Sequence, residues 1–125
     1  MIFGIGIDQI EVERVAEKIG KNSGFRELVF SASEISYCET KRNKFEHYAA
    51  RFAAKEAFFK AMGTGWRNGT AFNEIETTND EQGKPLLGFL GKTAMAIESL
   101  GLGNISVSLS HVKTIASAIV IIEKK

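Results

Sequence analysis

The chain has one cysteine and one proline in 125 residues, and almost no net charge, with 16 Lys and Arg against 15 Asp and Glu. Each shortage excludes something. Cys38 alone cannot close an internal disulfide, the usage expected in a reducing cytosol. With no base or basic field marked around it, it reads as a packing residue and not as a nucleophile. One proline and no low-complexity segment leave no linker and no internal repeat, so residues 1–125 read as one domain. A formal net charge of +1 rules out a nucleic-acid binder that works by its bulk field. No apolar run approaches a membrane span, and MIFGIGID carries no basic n-region or cleavage site. A soluble, cytoplasmic protein that engages no membrane is expected.

What is present is periodicity that changes along the chain. Ile2 to Ile7 reads as a strand, with Phe3, Ile5 and Ile7 on one face and Gly4, Gly6 and Asp8 on the other. Glycines on that face leave space for a ligand or for another backbone. From Gln9 to Ile19 the period turns helical, with Val12, Val15, Ala16 and Ile19 as the apolar stripe. Ser31 and Glu34 form a capping-box pattern that opens a short helix through Cys38. The strongest helix runs from about Phe45 to Met62 and stops at Gly63. Strands near Phe72–Thr78 and Lys84–Phe89 flank a polar hairpin loop. A helix near Gly91–Leu100 and strands at Ile105–Leu109 and Ala116–Ile122 complete the pattern. Helices and strands do not alternate, so the expected fold is α+β, a mainly antiparallel sheet packed against a long central helix.

Two carboxylates stand where a folded chain rarely strands one. Asp8 ends the strand beside glycines, and Glu56 sits among Phe and Ala in the long helix. Such groups are normally paired, hydrogen-bonded or bound to a metal. With Glu11 three residues on, Asp8 also matches a helix cap, and the sequence leaves cap and ligand both open. Glu56 and Lys60 are four apart, a spacing worth about 0.3–0.5 kcal/mol on an exposed helix face. The apolar company of Phe45, Ala49, Phe52 and Ala53 argues for a polar cleft there instead. Arg51 and Lys55, also four apart, read as solvated charges. Arg14, Lys18 and Lys21 make a basic stripe beside Glu11, Glu13 and Glu17, either a solvated face or a dock for an acidic partner. Gly63-Thr64-Gly65 follows its helix, unlike a P-loop, where the glycines come first. His111 has no second His or Cys nearby to make zinc ligands, and Ser108 and Ser110 lie in no nucleophile elbow.

GIGID with a following Arg, RFAAKEAFFKAMGTG, Gly83-Lys84-Pro85 and SLSH, in that order, are similar to the holo-[acyl-carrier-protein] synthases. These are the short, single-domain branch of the phosphopantetheinyl transferases, and the likeness runs from Met1 to about Glu123. The resemblance implies transfer of 4′-phosphopantetheine from coenzyme A to a serine of apo-acyl carrier protein, releasing adenosine 3′,5′-bisphosphate. It implies Asp8 and Glu56 as ligands of Mg2+ and Lys60 as a contact to the pyrophosphate. Arg51 and His111 fall on the family's contacts to the coenzyme A 3′-phosphate, and Gly83, Lys84 and Pro85 lie where the family places the adenine. The resemblance implies Gly63 and Thr64 as part of the same coenzyme A site. Arg14 falls where the family docks the carrier protein, and Lys18 and Lys21 extend that stripe. The resemblance also implies a homotrimer with sites at subunit interfaces. One departure is visible: Ile115 stands where the family usually carries Tyr.

The implied chemistry suits these residue types. Pyrophosphate cleavage needs charge neutralised on phosphoryl oxygens and the attacking hydroxyl held in line. Magnesium is served by one or two carboxylates together with waters and phosphate oxygens. The serine proton would go to Glu56 or to a water held by Asp8, and the sequence leaves that choice open. Two rivals use the same residues: a metal-dependent nucleotide pyrophosphohydrolase, and a coenzyme A-binding module without catalysis.

Overall fold

A computed structural model describes residues 1–21, 24–63 and 71–125. The chain runs β1 (Ile2–Glu11), α1 (Val12–Lys21), α2 (Phe25–Val29), α3 (Ala32–Glu39) and α4 (Lys44–Met62). After a 3-10 turn at Phe72–Glu74 come β2 (Ile75–Asn79), β3 (Pro85–Phe89), α5 (Gly91–Ser99), β4 (Leu102–His111) and β5 (Ile115–Lys124). A three-stranded antiparallel sheet has the order β1-β5-β4, and β2 pairs with β3 in a separate antiparallel hairpin. The α+β expectation holds, with its strands in two sheets. The short α2 has too few periodic residues to show in the sequence.

The long helix organises both halves of the core. One cluster gathers Ala53, Ala54, Ala57, Phe58 and Phe59 of α4 against Val107, Ala118, Val120 and Ile122 of the sheet and Ile75 of β2. A second gathers Tyr48, Ala49 and Ala50 against Val12, Val15, Val29, Phe30, Cys38 and Ala116. Phe30, Tyr48 and Phe58 are fully enclosed, each worth about 1.5–3 kcal/mol by the area it removes from water. α4 ends at Gly63, whose φ of 99° suits glycine. Burial also sets the cysteine's chemistry, pushing the Cys38 thiol up to about 12, so it stays protonated and inert.

The glycine face of β1 is filled by backbone. A Cβ at Gly4 would collide with the carbonyl oxygen of Ala61, and one at Gly6 with that of Ala57. The strand therefore lies directly on α4, and bare glycines meet a helix face of alanines. β1 also continues to Glu11, because its ladder with β5 runs on through Asp8↔Ala118 and Ile10↔Ala116. The helix expected from Gln9 begins only at Val12.

Candidate active site

Asp8 lies inside a paired strand, four residues before the first turn of α1, so it does not cap that helix. It shares the α4-facing side of β1 with the two glycines, and its side chain is only 15% exposed. Its partner is Lys60, whose ammonium lies 3.0 Å from Oδ1 and 3.1 Å from the Ile7 carbonyl oxygen. Glu56 stands one turn before Lys60, half-buried. Asp8 and Glu56 line one cavity of about 300 Å³, together with Arg14, Lys18, Phe25 and Phe52. An adjoining cavity of about 390 Å³ is lined by Asp8, Lys60, Gln9 and Ser117. The two carboxylates converge because the backbone contact through Gly4 and Gly6 presses the strand carrying one onto the helix carrying the other.

Among the described residues no three or more His, Cys, Asp or Glu side chains gather as a metal cluster. A zinc-type donor set is thus missing there, whereas two carboxylates on an open polar cavity fit Mg2+, which keeps waters and phosphate oxygens as its other ligands.

The remaining candidates assemble elsewhere. Arg51 precedes Glu56 by five residues and leaves α4 about 140° around the axis from it, at 3.6 residues per turn. It is 2% exposed, not a solvated charge. Its guanidinium stacks on the Tyr37 ring at 4.3 Å and donates from Nη2 to Asn79 Oδ1 at 2.9 Å. Asn79 in turn donates to the Gly83 carbonyl oxygen at 3.0 Å, tying Arg51 to the hairpin loop of Gly83, Lys84 and Pro85. That loop is held by Asp80, whose Oδ1 accepts from the backbone N–H of Gln82 and of Lys84, and Gly83 takes φ 86°. His111 joins the same group through ring contacts from His47 to His111 at 5.1 Å and from Tyr37 to His47 at 5.7 Å. Burial, followed by the charges of His111, Arg51 and Lys41, pulls His47 below the usual histidine range, with Glu46 opposing. Arg51 Nε finds no hydrogen-bond acceptor among the described residues, and no carboxylate pairs with the guanidinium there. A buried cation without a counter-ion is a place for an anion.

Lys55 also departs from expectation. It is fully buried, donating to Glu34 Oε1 at 2.6 Å, to the Phe72 carbonyl oxygen at 3.0 Å and to that of Ile75. Arg51 and Lys55 therefore read as surface charges only because a four-residue spacing does not say which face of a largely buried helix they occupy. Gly63 is exposed at the end of α4, Lys21 is exposed at the end of α1 away from the cavity lining, and Thr64 lies outside the described residues. Sequence reasoning missed Glu46, His47, Tyr37 and Asn79. The one available signal was the run His47, Arg51, Lys55 at helical spacing.

Comparison with known proteins places the chain in one family. The family model of the 4′-phosphopantetheinyl transferase superfamily covers residues 4–116. The chain is 48% identical to a holo-[acyl-carrier-protein] synthase of Cytophaga hutchinsonii, over 99% of both chains. It is 45% identical to one of Solibacter usitatus, over 98% of this chain and 99% of the other. Its structure is similar to the crystal structure of the Neisseria meningitidis enzyme, with TM-score 0.89 and 31% identity over 99% and 100% of the two chains. It is similar also to the Bacillus anthracis enzyme in complex with CoA (3′,5′-ADP), with TM-score 0.82 and 35% identity over 100% and 99%.

Proposed function

The chain belongs to the 4′-phosphopantetheinyl transferase superfamily, and we propose that it is the Mg2+-dependent enzyme that moves the 4′-phosphopantetheine arm of coenzyme A onto a serine of apo-acyl carrier protein in the cytoplasm. The observation that carries this reading is the convergence of Asp8 and Glu56, remote in sequence, on one cavity with Lys60 against Asp8. The two carboxylates would hold Mg2+, which when bound offsets charge on the phosphate oxygens. The serine oxygen forms a bond to the β-phosphorus as the bond to the α-phosphate oxygen breaks, and adenosine 3′,5′-bisphosphate leaves. The serine proton passes to a carboxylate of the cavity wall, Glu56 directly or Asp8 through a water. Lys60, which already holds its ammonium beside Asp8, meets the charge that grows on the pyrophosphate.

Arg51 and His111 bind the 3′-phosphate in this reading, with Gly83, Lys84 and Pro85 beside the adenine and Gly63 and Thr64 near the pyrophosphate. The phosphate would supply the acceptor that Arg51 Nε does not find among the described residues. One coenzyme A must then touch two residue groups that leave α4 on different faces, which favours a site completed by a neighbouring copy. The outer sheet face supports such an assembly. Ile5 and Ile7 are 55% and 64% exposed, and their cross-strand partners Ile121 and Ile119 extend the same apolar patch. We read it as the contact of a homotrimer, and sedimentation of the purified chain as three copies is its check.

The decisive experiment is mass spectrometry of apo-acyl carrier protein after incubation with this chain, coenzyme A and magnesium. A gain of one phosphopantetheine is expected. Bisphosphate released at the same rate without carrier would indicate a hydrolase, and no turnover beside tight binding indifferent to magnesium would indicate a binding module. The carrier is read by the basic stripe: Arg14 and Lys18 are exposed on the rim of the Asp8 cavity, and Lys18 lies over the Phe25 ring at 5.8 Å. Lys21 extends the stripe beyond the cavity. Arg14→Glu with Lys18→Glu is expected to raise KM for the carrier at least about tenfold while KM for coenzyme A moves little, since charges at an interface rim act on encounter with the partner. The reverse pattern would remove α1 from the docking surface.

A further inference from the structure

His111 closes β4, and its ring is fixed by neighbours from α4. Nδ1 lies 2.8 Å from Oε1 of Glu46, and the His47 ring meets it edge-on at 62°. Glu46 belongs to the first turn of α4, its backbone N–H bonded to the Asn43 carbonyl oxygen at 3.0 Å. An ionised carboxylate only accepts, so this contact places a proton on Nδ1 and leaves Nε2 as the ring atom that meets a ligand. The two side chains are 19% and 28% exposed, sheltered from bulk water and still reachable.

A carboxylate in this surrounding needs a reason. Lys41 and Arg51 make the neighbourhood positive, and a free carboxylate would repel the anion they attract. Glu46 instead spends its acceptor on the side of the imidazole away from Nε2. With both ring protons present it balances the imidazolium, and Nε2–H donates a charge-assisted bond to a phosphate oxygen. We propose that Glu46 is a positioning residue for substrate selection: it sets the His111 ring so that Nε2 faces the 3′-phosphate, and the pair thereby separates coenzyme A from 3′-dephospho-coenzyme A. This rests on the reading of His111 as a 3′-phosphate contact.

The test compares kcat/KM for coenzyme A with that for 3′-dephospho-coenzyme A, a ratio unaffected by any inactive fraction of a preparation. His111→Ala is expected to lower the ratio about ten- to a hundredfold, the range of one hydrogen bond to a charged group. Glu46→Ala should lower it by a comparable factor through the coenzyme A rate, with the dephospho rate within about twofold of wild type. Glu46→Gln, whose amide oxygen still accepts from Nδ1, should keep most of the ratio, and Glu46→Ala should add nothing on top of His111→Ala. If His111→Ala collapses the ratio while Glu46→Ala preserves it, or lowers both rates alike, the positioning role is overturned. If His111→Ala leaves the ratio intact, the subsite reading itself fails, and the inference with it.

Discussion

Asp8→Asn and Glu56→Gln should each cut turnover by at least about 10²–10³-fold, even with excess magnesium, because each removes a fixed charge from the reacting phosphates. Folding should hardly change. Asp8 pairs with a Lys60 that is 54% exposed, and such pairs contribute less than about 1 kcal/mol. Both amides keep the shape of the acids they replace. Steady-state transfer assays beside thermal melts would check this. Activity within a few-fold of wild type in either variant, with an unchanged melt, would remove that carboxylate from the site.

Glu34→Ala is expected to be the most damaging single change to stability. Glu34 is completely buried, and it makes four hydrogen bonds to three residues. Oε1 accepts from Lys55 Nζ and from the Ser31 backbone N–H, Oε2 accepts from the Thr77 N–H at 2.9 Å, and its own N–H bonds Ser31 Oγ. Burial pulls the Lys55 ammonium below the usual lysine range, with Glu34 opposing. Removing the carboxylate strands that cation and two backbone donors, a cost of about 3–5 kcal/mol in a fold whose total is about 5–15. Lys55→Met alone should cost a similar amount by stranding the carboxylate. Glu34→Ala with Lys55→Met should cost less than the sum of the two, since no charge is left unpaired. Urea titration of the three variants measures this, and additive losses would show that the pair is not coupled.

Much of this was legible in the residues because the local signals were strong. The Ser31–Glu34 box forms both of its bonds, and α4 stops at Gly63. Asp8 was harder, since a carboxylate three residues before a glutamate resembles a cap until the ladder to β5 is seen to run through it. The space beside Gly4 and Gly6 was equally suited to a ligand or a backbone, and only tertiary packing shows that α4 fills it. Arg51, Lys55 and Glu46 were illegible for a shared reason. Their partners Asn79, Glu34 and His111 come from other elements, and no periodicity within one helix encodes them.

Where β1 crosses α4, main chain rests against main chain with no side chain between. A layer of leucines at such a seam would act as a cushion, sliding and swelling as its members changed. Here there is nothing compressible, so the gap between the two acids is set as rigidly as peptide geometry allows. Drift elsewhere in the interior can alter stability without retuning the bite on a cation, whereas adding one methyl group at Gly6 would pry the jaws apart.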